Sequence, residues 1–589
     1  MVEHSDDSAL ENLRARIQHH LEVIYPAEDC KALCESFIKI MGLEQPKTIR
    51  SHRNIWDEND IALITYADSI SDEHVPLRTL KSFIDNHLQN VVSIVHILPF
   101  YPYSSDDGFA VIDYSVVNPS HGTWQDIRAI ANDYKLMADL VINHISARSR
   151  WFEDFKRGKS PAKDYFLAVP ADTDISQVVR PRTSPLLNKI DTVNGEQYVW
   201  CTFSADQVDM NFANPNVLLE FAKIIALYLE MGVRWFRLDA VAFLWKELGT
   251  NCIHLPQTHE IIKLLRVLIE SANDKAVIIT ETNVPNRENL TYFGNANQAH
   301  LIYNFSLPPL MVYTLISGDC RHLKTWLMSM PPPQQGSCYL NFIASHDGIG
   351  VRPLEGLLDN NETERLLAAM QAFGGALTYR QTDGERKPYE INIALFDALS
   401  GDINGTADNY QLARFICAHT IMLALEGVPA FYIHSFLGTE NDHARVEHTG
   451  RQRSINRHIW SRDLLDNELE DEQSHHRLVL NELTRLVKIR KAQPAFHPNA
   501  TQFTLHLGTK IFGFWRQSMD RQQSIFAVHN ISNQTQVVAL SDLNLIGMER
   551  WRDLIGNTEI DDIYGNIELA PFQAMWITNS KQSSTKDIY

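Results

Sequence analysis

Apolar residues along the first forty-five positions recur at helical spacing: Leu10, Leu13, Ile17, Leu21 and Ile24, then Leu33, Phe37 and Ile40. This spacing predicts an N-terminal helical extension over 1–60 that carries no chemistry. From residue 61 the pattern changes to short apolar, β-branched runs separated by longer amphipathic stretches. The runs are IALITYAD (61–68), VVSIVHILPF (91–100), KLMADLVINH (135–144), VRWFRLDAV (233–241), AVIITET (276–282), LIYNFSL (301–307), CYLNFIASHD (338–347) and VPAFYIHS (428–435). Near-continuous apolar strands belong to a parallel sheet buried on both faces, so eight of them alternating with helical patterns predict an α/β fold, a (β/α)8 TIM barrel. The intervals after the third and seventh runs are too long for one helix. They predict inserted domains over 144–210 (B) and 348–410 (B′), above the C-terminal mouth, leaving 61–143, 211–347 and 411–499 for the catalytic barrel. Beyond residue 500, the segments TQFTLHL, KIFGFWRQ, SIFAVHNIS, TQVVAL and AMWIT predict a C-terminal antiparallel β domain over 500–589, ending in a polar, frayed tail, KQSSTKDIY.

Composition narrows the class. With 44% hydrophobic and 21% charged residues, the 589-residue chain can bury a large core without metal or disulfide support. Its net charge of −19 disfavours a phosphate backbone as partner, so no nucleic-acid binding is expected, and any anionic ligand needs a local basic cluster. The seven cysteines are odd in number and scattered, which suggests reduced thiols in a cytoplasmic protein. The acidic start MVEHSDDSALENL lacks the regions of a signal peptide. The longest uncharged run, 293–318, contains three Asn, a Gln, a His and Pro308-Pro309, so no membrane span is expected.

Polar residues at the C-terminal ends of barrel strands read as catalytic, because that face is built for ligands. The fourth run carries Arg237 and Asp239, two positions apart and so on one side of a strand. The fifth ends in Glu281, the seventh in His346 and Asp347, and the third in His144; Asp106 follows the second. Two facing carboxylates suit glycosyl transfer, one as nucleophile and one as acid and base. Arg237 is expected to keep Asp239 ionised, and a drier setting to raise Glu281. Any one of these groups alone could be a rim salt bridge; three carboxylates, two histidines and an arginine at four strand ends are harder to explain that way.

ADLVINH, RWFRLDAVAF, IITETNVP and FIASHD, in that order, resemble the motifs of the α-amylase superfamily, glycoside hydrolase family 13. The resemblance covers the chain from about residue 60 and implies that Asp239 is the nucleophile, Glu281 the acid/base and Asp347 the third carboxylate. Arg237, His144 and His346 would be their sugar-binding companions. LPFYPYSSDDGFAVIDY and WCTFSADQVDMNF further resemble the sucrose phosphorylase subfamily. That likeness implies glucosyl contacts from Asp106, Phe109 and Phe203, and loop residues Arg182, Tyr389 and Arg453 from RPRTSP, PYEINIALFDALSG and TGRQRSINRH. Two features depart from the subfamily: Glu390 follows Tyr389 where Gln is usual, and Phe243 stands where Tyr is usual. Asn143 matches a calcium ligand of many amylases but is read here as a buried turn residue; no metal or cofactor is expected.

The implied activity is retaining phosphorolysis of an α-glucoside through a β-glucosyl-enzyme. Sucrose and inorganic phosphate are the first expectation. The alternatives are phosphorolysis of glucosylglycerate, glucosylglycerol or sucrose 6-phosphate, or a sucrose hydrolase or transglucosidase. Arg182, Arg386 and Lys387 are the sequence's candidates for drawing in phosphate. The subfamily contains dimers, so a homodimer is compatible with the sequence.

Overall fold

A computed structural model describes residues 3–45, 53–382, 385–546 and 549–579, without the side chains of residues 3–7, 381, 382 and 385. The tail KQSSTKDIY lies outside the described residues.

All eight apolar runs contain strands, and the strands close into one parallel barrel. They are β1 (Ala62–Thr65), β2 (Ile94–Ile97), β3 (Lys135–Val141), β4 (Val233–Asp239), β5 (Val277–Thr280), β6 (Leu301–Tyr303), β7 (Cys338–Asn341) and β8 (Val428–Tyr432). Each pairs with its neighbour in sequence, and β1 closes on β8 through Ala62 against Ala430. The strand residues are almost uniformly buried, as a sheet covered on both faces requires. Fully burying each Leu, Ile or Phe contributes about 1.5–3 kcal/mol. Local signals agree with the fold: helix Trp124–Asp133 starts at a capping box between Thr123 and Asp126.

The N-terminal segment forms α1 (Glu3–Ile24) and α2 (Cys30–Met41). Asp29 caps α2 by accepting the Ala32 N–H, and Gly42 ends it at φ 63°. The pair docks on the outer ring of barrel helices, with His20 2.6 Å from Glu260 and the Tyr25 hydroxyl donating to the Phe212 carbonyl.

The segment after β3 forms a strand pair, His144–Ser146 with Gln207–Asp209, and a three-stranded sheet containing the hairpin Leu187–Thr192/Gly195–Trp200. After β7, the hairpin Ala376–Thr382/Glu385–Asn392 pairs with Ile349–Gly350. Beyond the barrel lie a six-stranded and a two-stranded antiparallel sheet. All seven cysteines are buried and unpaired. No helix among the described residues is long and apolar enough to cross a membrane.

Candidate active site

Parallel register sets the base of the site. Arg237 on β4 lies beside Asp139 on β3, and Asp139 meets His96 of β2 at 2.7 Å. The Arg237 guanidinium therefore divides between two carboxylates, reaching Asp139 at 2.5 Å and Asp239 at 2.8 Å. The chain turns sharply after Asp239: Ala240 adopts φ 49°, a conformation costing a non-glycine residue about 1–3 kcal/mol. In that turn the Ala240 N–H donates to Glu281 Oε2 at 3.0 Å, which holds the acid/base candidate beside the nucleophile candidate.

Arg237 favours the ionised form of Asp239, as expected from the sequence, but other influences oppose it. Burial raises the Asp239 carboxyl against the pull of Arg237, and the charges of Glu281 and Asp139 reinforce the rise. Burial also raises Glu281, with Arg237 opposing and Asp347 adding to it. Burial thus lifts both carboxyls above the ordinary carboxylate range. Asp347 behaves differently. Although burial opposes it, Arg453, His346, Arg457 and Arg237 draw Asp347 far below the ordinary carboxylate range. Burial lowers His346 to about 3, so its imidazole is neutral.

The three carboxylates Asp239, Glu281 and Asp347 line one cavity at the barrel mouth together with Asp106, Phe109, His144, Arg182, Phe203, Arg237, His346, Tyr389 and Arg453, whereas Glu390 does not. Asp106 and Asp107 occupy consecutive left-handed conformations, φ 53° and 47°, followed by Gly108 at φ 113°. A Cβ at Gly108 would lie 2.6 Å from the Pro99 carbonyl oxygen, so the third position of this turn requires glycine. Arg451 and Arg457 pin Asp107, leaving Asp106 on the cavity wall. Phe109 stacks on His346 with centroids 5.0 Å apart. His144 Nε2 lies 2.9 Å from the Phe109 carbonyl oxygen, and its ring packs on Phe203. Arg182 sits over the rings of both Phe203 and Tyr389, at 6.0 and 5.2 Å.

Glu390 is buried behind this wall and holds Arg453 through two hydrogen bonds, 3.0 and 2.7 Å, while Arg453 also reaches Asp347 at 2.5 Å. A Cβ at Gly348 would lie 2.5 Å from Glu390 Cγ, so glycine lets the two strands approach. The Lys246 ammonium lies between Asn143 Oδ1, at 2.8 Å, and Asp209 Oδ2, at 2.9 Å; Asn143 itself is buried. Arg386 and Lys387 lie outside the cavity. Arg386 is exposed and stacked on Tyr379 at 4.0 Å.

The sequence reading missed Gln207, which donates to Asp106 and to the Phe109 carbonyl, and Asn283 on the cavity wall. It also passed over Asp139, although a carboxylate inside the apolar run KLMADLV was a usable signal.

The α-amylase catalytic-domain family matches residues 86–354. A glucosylglycerate phosphorylase of Allomeiothermus silvanus is 42% identical over 89% of this chain and 91% of its own length. One from Escherichia coli is 40% identical over 96% of this chain and its full length. A sucrose phosphorylase of Agrobacterium vitis is 30% identical, covering 75% of this chain and 89% of its own. Among solved structures, the sucrose 6F-phosphate phosphorylase from Thermoanaerobacter thermosaccharolyticum superposes with a TM-score of 0.71 at 25% identity, covering 87% of this chain and 98% of that one. The chain belongs to the α-amylase superfamily, glycoside hydrolase family 13, in its sucrose phosphorylase-like group. It is a glycosyltransferase of the phosphorylase type.

Proposed function

We propose that the protein is a retaining glucosylglycerate phosphorylase, which transfers the glucosyl group of an α-glucosyl glycerate to inorganic phosphate. One observation carries the choice of substrate: relatives with that name are 40–42% identical over 89–96% of the chain, whereas sucrose phosphorylases reach 30% over 75%. Sucrose, the first expectation from the sequence, gives way to the alternative.

In this reading Asp239 attacks the anomeric carbon while Glu281 gives its proton to the departing glycerate oxygen. Phosphate then attacks the glucosyl ester and Glu281 takes the phosphate's proton, yielding α-glucose 1-phosphate with net retention. Asp347, with Arg453, His346 and Asp106, is suited to holding sugar hydroxyls. The buried, unpaired thiols support a reducing, cytoplasmic setting.

The test is run in the synthetic direction. The protein is incubated with α-glucose 1-phosphate and, separately, glycerate, fructose, fructose 6-phosphate and glycerol, and phosphate release is followed. The expected result is fastest release with glycerate; faster release with fructose would overturn the substrate assignment.

A further inference from the structure

Glu281 faces two chambers. One is the cavity it shares with Asp239 and Asp347; the other lies beyond it and is walled by Asn283, Phe243 and three arginines, Arg180, Arg352 and Arg380. These arginines come from separate parts of the chain: the first inserted segment, the turn Arg352–Leu354 and the strand Ala376–Thr382. The fold holds them in place, since the Val179 N–H donates to the Asn251 carbonyl and the Val351 N–H to the Tyr389 carbonyl.

Their charges are poorly matched. Arg180 has no hydrogen bond or ion pair among the described residues, and burial pulls its guanidinium below the ordinary value. Arg352 reaches Glu288 only at 3.5 Å, and Arg380 pairs with Glu355, whose side chain is half exposed. Among the described residues, none of the three buried Nε atoms has an acceptor. Such a surplus of desolvated donors is costly unless an anion completes it. Two arginines of the first chamber are already matched, Arg237 by Asp139 and Asp239, Arg453 by Asp347 and Glu390, while Arg182 packs on the rings of Phe203 and Tyr389.

The acid that protonates the glycosidic oxygen stands between the glucosyl unit and the group that leaves. The group on the far side of Glu281 is therefore the acceptor. We propose that Arg180, Arg352 and Arg380 form the seat of the acceptor's carboxylate and so select an anionic acceptor over its neutral analogue. The inference rests on the glycerate reading above and adds the residues that enforce it. A guanidinium trio suits a carboxylate because each presents paired donors in a plane.

The experiment compares glycerate with glycerol, which has a neutral hydroxymethyl group in place of the carboxylate, as acceptors from α-glucose 1-phosphate. It uses the wild type, Arg352→Gln, Arg380→Gln and Arg380→Lys. The ratio of kcat/KM for the two acceptors is independent of how much protein is folded. Each Gln variant is expected to lose about tenfold or more of the glycerate preference, the scale of one charge-assisted contact, with Arg380→Lys recovering part of it. The KM for phosphate in the reverse reaction is expected to move far less than that for glycerate. If the wild type fails to use glycerate, the substrate reading falls and this inference with it. If the wild type prefers glycerate and both Gln variants keep the full preference, or phosphate KM rises equally, the seat is overturned and the substrate reading survives.

Discussion

The two chambers that meet at Glu281 are built differently. On the glucosyl side the charged groups around the catalytic carboxylates form closed sets: His96, Asp139, Arg237 and Asp239 run across three adjacent strands, and Arg453 is shared by Asp347 and Glu390. Those on strands cannot move without moving the barrel. On the acceptor side the arginines come from inserted segments, their partner acids are distant or exposed, and their Nε donors are unmatched. A saturated set fixes geometry for a reaction that every substrate shares. An unsaturated one leaves charge available to whatever anion enters, so loop changes can alter the acceptor without disturbing the chemistry.

Removing the nucleophile should break the saturated side most completely. Asp239→Asn keeps the shape and one acceptor for Arg237 but removes the attacking oxygen, and turnover is expected to fall by at least about a hundredfold. Retention of a tenth of the wild-type rate, measured as phosphate release, would refute the role.

Glu281→Gln should be the next largest change, and one that depends on substrate. Its proton matters most when the leaving oxygen is poor, so transfer from the natural glucoside should suffer about a hundredfold or more beyond transfer from α-glucosyl fluoride. Equal losses would reduce Glu281 to a positioning group. The same variant tests the raised carboxyl. Because burial raises Glu281, its acid form extends to higher pH than that of an ordinary carboxyl and is lost as pH rises through the raised value. The alkaline limb of the kcat/KM profile with the natural glucoside is therefore expected to flatten in Glu281→Gln.

This contrast also explains what was legible in the sequence. The barrel could be read because its strands are buried on both faces and appear as apolar runs; charge inside or just beyond those runs marked Arg237, Asp239, Glu281 and Asp347. Gln207 and Asn283 carried no comparable mark, since a single amide outside the apolar runs looks like any turn residue until the fold brings it to the cavity. The pull of Arg237 on Asp239 was legible because the two are neighbours in sequence, whereas the opposing charge of Asp139 lies across a strand pairing and was not. Among the basic loop residues, the sequence pointed to Arg386 and Lys387 and gave Arg352 and Arg380 no mark. Only the way the hairpin packs brings Arg380 to the chamber wall and leaves Arg386 exposed.

The smallest effects concern phosphate. Arg182 lines the glucosyl cavity and the wider mouth above it, held between the rings of Phe203 and Tyr389 rather than by a partner carboxylate, so its charge is available to an entering anion. Arg182→Ala is expected to raise the KM for phosphate by about tenfold, equivalent to one charge-assisted contact of roughly 1.4 kcal/mol. Arg386 is the control within the same basic neighbourhood. Exposed to solvent and stacked on Tyr379, it can influence phosphate only through a screened, long-range field. Arg386→Ala should therefore change phosphate saturation by less than about twofold, an effect that fades further at higher salt. Phosphate saturation curves for the two variants at low and physiological ionic strength distinguish contact from field. A tenfold rise for Arg386→Ala that survives added salt would place the hairpin edge in the anion path and erase the proposed boundary between the matched site and its rim.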